Sequence, residues 1–219
     1  SMLGVLSKVA KNLLGEYKET IDCKGFNLEQ IKGIASRYEV SKLTNVNIND
    51  GNALNVFNKL PEDFKHKIIG LDFEGVHSLT LVQLNHILIS CQNLEDKETI
   101  DCKGLNFDQI KIVANRYEGA KLTNVNINDG AADVFNDLPK GFKHKIIGLD
   151  FAGGQSLTHA QLNQILSSCE NLEEVNLYGC YKLTDVSGLG GCKRLKTLRI
   201  DTCSKLTNVS ALGGCKSLE

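Results

Sequence analysis

The sequence has little net charge and no long apolar run. Its 25 basic and 26 acidic side chains leave a formal net charge of −1, which gives no general attraction to nucleic acids or acidic membranes. No apolar stretch is long enough to span a bilayer, and the first residues lack the unbroken apolar stretch and cleavage site of a signal peptide. Two prolines and no tryptophan point to no function. We therefore expect no nucleic-acid partner and no membrane span.

Catalytic and metal-binding patterns are also missing. We find no nucleophile beside an ordered base, no phosphate-binding glycine loop and no paired acid and base. The eight cysteines are never spaced as CxxC, which argues against zinc. The segment NVNINDG (45–51) is similar to a calcium loop, but its glycine comes one position late and the distal glutamate is missing. The sequence predicts a protein that is not an enzyme and holds no metal or cofactor.

What the sequence does contain is repetition. Three phrases each occur twice with a period of about 79 residues, which indicates a duplication. They are ETIDCKG at 19–25 and 98–104, KLTNVNINDG at 42–51 and 121–130, and FKHKIIGLDF at 64–73 and 142–151. Repeats that stack on their neighbours bury an apolar face that one repeat cannot cover alone.

A shorter rhythm of 22 to 29 residues lies inside each long unit. Several of these shorter repeats carry the pattern LxxLxL, as in Leu172-Val175-Leu177, which predicts one strand per repeat. The eight predicted strand centres are Ile21, Ile48, Leu71, Ile100, Ile127, Leu149, Leu177 and Ile200.

Helix signals separate the predicted strands of the first six repeats. Four segments open with Asn or Thr followed three residues later by Gln, which is a capping box. They start at Asn27, Thr80, Asn106 and Thr158. The last two repeats carry glycine pairs instead, and we expect only a short helical turn in each. Strands and helices at this spacing predict parallel strands on one side and helices on the other.

The residues that flank a strand centre point away from the core, because side chains alternate along a strand. If the eight centres pair in register, the residues just after them form one polar, acidic row on the strand side. The row consists of Asp22, Asn49, Asp72, Asp101, Asn128, Asp150, Tyr178 and Asp201. It is either a binding surface or a solvated position that duplication has copied.

Residues 19–219 resemble the leucine-rich repeat proteins, and in particular their cysteine-containing, ribonuclease-inhibitor-like subfamily. The resemblance rests on the LxxLxL phrases and on cysteines at recurring positions. Cys91, Cys169, Cys192 and Cys215 stand three residues before a leucine, and Cys180 and Cys203 stand three after a strand centre. The resemblance implies an α/β solenoid of about eight repeats, with a curved parallel sheet on the concave face and helices and turns on the convex face. We expect all eight cysteines to be buried thiols, which favours a reducing compartment.

The resemblance also implies a function. Such arrays bind other proteins through the concave face, so we predict protein–protein recognition, with the acidic row as the surface and a basic segment as its partner. Two alternatives stay open: the targeting domain of a larger enzyme or secreted bacterial effector, and a structural or adhesive surface repeat. The expected location is the cytoplasm, or that of a host cell for an effector.

Both ends of the sequence carry expectations of their own. Residues 1–18 place Leu3, Leu6 and Val9 on one helical stripe, which predicts an amphipathic capping helix rather than a membrane-surface helix. At the other end, Cys215 and Leu218 copy Cys192 and Leu195, so that a further strand is expected to follow Glu219 or to come from another chain.

Overall fold

The structure, a computed structural model, describes most of the chain after the first strand begins. The described residues are 20–37, 40, 42–48, 53–73, 78–127 and 131–219. The predicted capping helix (1–18) and two members of the predicted row, Asn49 and Asn128, lie outside them. The chain divides into two compact units, one up to Asp72 with Asn85–Glu95 and the other of Phe73–Leu84 with Asp96–Glu219.

The first unit alternates short parallel strands with helices. Strand β1 pairs with β2, and β3 pairs with β4, both in parallel. The elements are β1 (Thr20–Asp22), α1 (Leu28–Arg37), β2 (Lys42–Thr44), β3 (Val46–Asn47), α2 (Ala53–Asn58), α3 (Glu62–Lys65) and β4 (Leu71–Asp72). Helix α4 (Leu81–Ser90) follows and contributes residues to both units.

The second unit repeats this order and extends it. Its elements are β5 (Thr99–Asp101), α5 (Phe107–Arg116), β6 (Lys121–Thr123), β7 (Val125–Asn126), α6 (Ala131–Asn136), α7 (Lys140–Lys143), β8 (Gly148–Asp150), α8 (His159–Ser168), β9 (Glu174–Asn176) and β10 (Thr197–Arg199). Two 3-10 helices, Ser187–Gly191 and Ser210–Gly214, follow β9 and β10. The α/β class with parallel strands is therefore confirmed, and so are the short helical turns of the last two repeats.

Four parallel strands form the largest sheet among the described residues, in the order β10-β9-β8-β7. Val125, Leu149, Val175 and Leu198 are paired across it, one on each strand. Val125, Leu149 and Val175 are buried, as are the next apolar residues along, Ile127, Phe151 and Leu177, whereas Leu198 is half-buried. Apolar residues two positions apart therefore lie on one face of the sheet, and the polar residue between them lies on the other.

This pairing corrects the predicted register. The residues opposite Leu149 are Val125 and Val175, not Ile127 and Leu177 as predicted. In the first unit Leu71 pairs with Val46 rather than Ile48. The error is two residues in these pairs, and a shift of two leaves every side chain on its original face, so that the apolar pattern cannot reveal it. Ile21 and Ile100 instead pair with Leu43 and Leu122, five residues before the predicted Ile48 and Ile127.

Capping boxes begin the four ten-residue helices, as the sequence predicts. In α5 and α8, the side chains of Asn106 and Thr158 accept a hydrogen bond from the backbone N–H three residues later in the chain. The side chains of Gln109 and Gln161 in turn accept from the backbone N–H of these two capping residues. Asn27 and Gln30 exchange the same two bonds at α1, with donor–acceptor distances of 2.9 and 3.0 Å. Thr80 and Gln83 do so at α4. The helix starts are thus fixed by local chemistry.

All eight cysteines lie among the described residues, and each is a buried thiol without a disulfide. This confirms the prediction. Cys180, Cys203 and Cys215 donate to backbone carbonyls of the preceding repeat, those of Phe151, Leu177 and Leu189, at 3.1 to 3.3 Å. Burial raises the pKa of Cys23, Cys102 and Cys169 to about 12. These side chains act as small apolar residues that also bond one repeat to the next.

Gly188 provides a test of close packing between α8 and the first 3-10 helix. A Cβ on Gly188 would lie 2.9 Å from Cα of Asn163, whereas one on Gly191, in the same 3-10 helix, would meet nothing within 4 Å. We predict that Gly188→Ala lowers the free energy of unfolding by about 1–3 kcal/mol. Gly191→Ala should change it by less than about 0.5 kcal/mol. Urea denaturation measures both, and equal effects would contradict the packing.

The thiols give a second prediction. Because their pKa is raised on folding, Cys23, Cys102 and Cys169 should stay protonated in the native protein at pH 8 and resist alkylation, whereas denatured protein should show eight reactive thiols. The unfolded state loses these protons near the ordinary thiol pKa of about 8.5. Stability should therefore fall as the pH rises from there towards 12. Two or more disulfides in unreduced protein would contradict the assignment.

Candidate functional site

The predicted acidic row is not a single row of paired residues. Asp72 lies opposite Asn47, and Asp150 lies between Asn126 and Asn176. Asp22 and Asp101 lie opposite the threonines Thr44 and Thr123. Tyr178 and Asp201 lie in the turns after β9 and β10, beyond the paired residues. The prediction of an in-register row is wrong for this reason, whereas its role in binding stays a prediction.

Three of the predicted aspartates accept hydrogen bonds from within the protein, and these bonds shape the turn that follows each strand. Asp22 accepts from the backbone N–H of Lys24 and from the side chain of Asn45, both at 3.0 Å. Asp101 accepts in the same way from Lys103 and Asn124. An aspartate that accepts from the N–H two residues on closes a local turn that mimics a backbone turn. Each of these two carboxylates thus connects its own turn to the next repeat.

Asp150 is the third of these aspartates and lies in the larger sheet. It accepts from the backbone N–H of Ala152 and from the side chain of Asn176, each at 2.9 Å. Asn176 in turn accepts from the backbone N–H of Tyr178 at 3.0 Å. A chain of hydrogen bonds therefore runs from β8 to the turn after β9 and fixes the backbone from which the Tyr178 side chain extends.

Two asparagines occupy a conformation that asparagine tolerates better than most residues. Asn45 has φ of 52° and Asn124 has φ of 50°, and each separates two short strands. This left-handed backbone interrupts the strand between Leu43 and Val46, which are nevertheless both buried. The LxxLxL phrase of these repeats therefore spans two strands rather than one.

The outward row that the pairing does produce is mixed in charge. Across β7 to β10 it reads Asn126, Asp150, Asn176 and Arg199. Sequence reasoning missed Arg199, because it took the residue after Ile200 rather than the one before it. The signal was present, since strand alternation gives both neighbours of a buried residue the same outward direction.

Arg199 connects the turns after β9 and β10. Its Nε lies 2.9 Å from Oδ2 of Asp201, and its guanidinium carbon lies 4.6 Å from the centroid of the Tyr178 ring. Tyr178 remains 40% exposed and Tyr181 46% exposed, although tyrosine normally buries most of its surface. The arrangement holds an arginine and an aromatic ring at the surface in a fixed geometry. Arginine and tyrosine are enriched among the residues that dominate binding energy at protein interfaces.

A charged pair borders this surface. Nζ of Lys196 lies 2.6 Å from Oε2 of Glu173. The lysine lowers the pKa of Glu173, and the carboxylate raises the pKa of Lys196, so that both shifts favour the charged pair. Lys196 is exposed and Glu173 is half-buried, and a pair so open to solvent contributes little to stability.

Two features are absent from the described part of the chain. Within it, no group of three or more His, Cys, Asp or Glu side chains could hold a metal ion. None of the helices described there is long and apolar enough to cross a membrane. The raised pKa of the buried thiols leaves them poor nucleophiles.

The Asp22 turn predicts a defined pH dependence. The hydrogen bond from Asn45 and then that from Lys24 lower the pKa of Asp22 below its ordinary value. The stabilisation is present above the unfolded pKa of about 3.9 and is lost as the pH falls through the folded value. We predict that Asn45→Gly, which suits the positive φ but removes the donor, raises the pKa of Asp22.

Carboxyl NMR titration measures this pKa, and the second copy supplies the control. Asn124→Gly removes the equivalent hydrogen-bond donor to Asp101 and should leave the titration of Asp22 unaltered. An Asp22 pKa that is the same with and without the Asn45 side chain would show that the hydrogen bond is not its cause.

A comparison with protein-family models gave no match to this chain, and a comparison with curated proteins gave none of significance.

Proposed function

We propose that the chain is a protein-recognition module that binds its partner through the outward face of its parallel strands. The observation that carries the proposal is the surface formed by Tyr178, Arg199 and Asp201, in which a half-exposed aromatic ring is stacked against a guanidinium. A pre-ordered Tyr–Arg pair loses little side-chain entropy on binding, so more of its contact energy contributes to affinity.

The sequence pattern supports the finer architecture that this proposal includes. The repeats of 22 to 29 residues, the LxxLxL phrases and the buried cysteines at recurring positions are those of a leucine-rich repeat solenoid. We propose one such array over residues 19–219, with its parallel strands on the concave face. In this architecture the strand face is the usual place for a protein partner.

The aspartates of the predicted row can contribute to this function by steering and orienting the partner. Asp22, Asp101 and Asp150 already accept hydrogen bonds from their own turns, so that their charge is held in place rather than mobile. A carboxylate offers more acceptor sites than these bonds use. Fixed carboxylates of this kind steer an oppositely charged partner and set its register more than they add affinity.

Site-specific photo-crosslinking tests which face binds. A photoreactive amino acid replaces Thr197, an exposed outward residue of β10, or, as the matched control, Gln164, an exposed residue of α8. The full chain is then irradiated in lysates of candidate host cells and in lysates of the organism that produces it. We predict discrete protein adducts from position 197 and none of the same size from position 164. Adducts from position 164 alone, or identical adducts from both positions, would contradict binding through the strand face.

A further inference from the structure

The two C-terminal repeats, residues 172–194 and 195–217, differ from each other in a restricted region. Between 182–194 and 205–217, 10 of 13 aligned residues are identical. Between 172–181 and 195–204, only 2 of 10 are identical, and these are a leucine and a cysteine. The differences are thus concentrated in the strand and the first part of its turn.

Solvent exposure alone does not explain this distribution. Three exposed residues in the conserved half are kept in both repeats: Lys182, Ser187 and Lys193 match Lys205, Ser210 and Lys216. Every outward residue of the strand and of the first part of its turn, by contrast, is replaced by one of different chemistry. Glu174, Asn176, Tyr178 and Tyr181 correspond to Thr197, Arg199, Asp201 and Ser204. If exposed positions simply drifted, both halves of the repeat would have changed.

The two long copies, by contrast, keep the outward residues of their equivalent strands. The outward residues Asn47 and Asp72 of the first copy are repeated as Asn126 and Asp150 in the second. In the last two repeats the variation lies at β9, β10 and their turns, where the repeats also touch through Arg199 and Tyr178. We call the outward residues of these strands and their turns the variable surface, and we include in it the adjoining Asp150, which does not vary itself but pairs with Asn176. It comprises Asp150, Glu174, Asn176, Tyr178, Tyr181, Thr197, Arg199, Asp201 and Ser204.

The variable surface carries excess negative charge. It contains three carboxylates, those of Asp150, Glu174 and Asp201, and one guanidinium, that of Arg199, which gives a net charge of −2. Arg199 is already paired with Asp201, so that its charge is partly offset within the surface. Tyr178 and Tyr181 add apolar area and ring faces, against which a cationic side chain can stack.

We propose that the variable surface determines the specificity of this module and that it binds a protein segment presenting an arginine or lysine side chain. The excess negative charge of the surface attracts the cation, and the rings of Tyr178 and Tyr181 offer apolar area for its stem. The proposal rests on the proposed function and adds to it the location of the determinant and the chemistry of the partner.

Selection from random peptides displayed on phage tests the proposal with the full chain as target. The test variant is Asp150→Asn combined with Asp201→Asn. Asparagine already occupies the positions equivalent to Asp150 on β7 and β9, so that the fold should tolerate it. The control is Asp185→Asn, which removes a carboxylate outside the variable surface, where the next repeat naturally has Asn208.

We expect peptides enriched in Arg and Lys that bind the double variant about three- to tenfold more weakly than the parent chain. Binding to the control should stay within about twofold, and affinity should fall with added salt. Selected peptides without a basic preference, or equal binding to the double variant, would overturn the inference. If cross-links from position 197 persist in that case, the proposed function stands and only the partner chemistry fails. If no peptide binds at all, the inference about a basic segment fails as well, and the cross-linking result alone decides the proposed function.

Discussion

The in-register pairing of Val125, Leu149, Val175 and Leu198 is the constraint on which the second unit depends. Parallel strands lie about 4.8 Å apart, so each pair fixes two backbones and determines which side chains are buried. Gly148 shows how close the approach is, because a Cβ there would lie 3.1 Å from backbone atoms of Thr123 and Asn124. The cysteine bonds, the helix positions and the outward row all follow from this pairing.

The turns after the strands connect folding to the proposed binding surface. Asp150 shapes its own turn and accepts from Asn176, which positions the backbone of Tyr178. The same group therefore provides local order and surface charge. A surface built in this way is rigid before any partner arrives, and pre-organisation of this kind lowers the entropy that binding costs.

Duplication explains why the structural residues and the proposed binding residues are separable in this chain. The residues that pack, cap helices or bond one repeat to the next are copied almost unchanged, as in Cys180 and Cys203, which both donate to the preceding repeat. The outward residues of β9 and β10 do not pack in the core, and they differ between the two repeats. Gly188 is an exception among the packing residues. It is required beside Asn163, whereas its counterpart in the next repeat is Ala211.

The sequence by itself determined the α/β class, the four helix starts and the burial of the cysteines, because each depends on local periodicity or on contacts within a few residues. It did not determine the strand register. A period of two leaves a shift of two residues undetectable, so that Val46 and Ile48 are both buried and only the pairing distinguishes them. For the same reason the sequence missed Arg199, whose contacts with Tyr178 and Asp201 arise only when neighbouring strands and their turns are brought together.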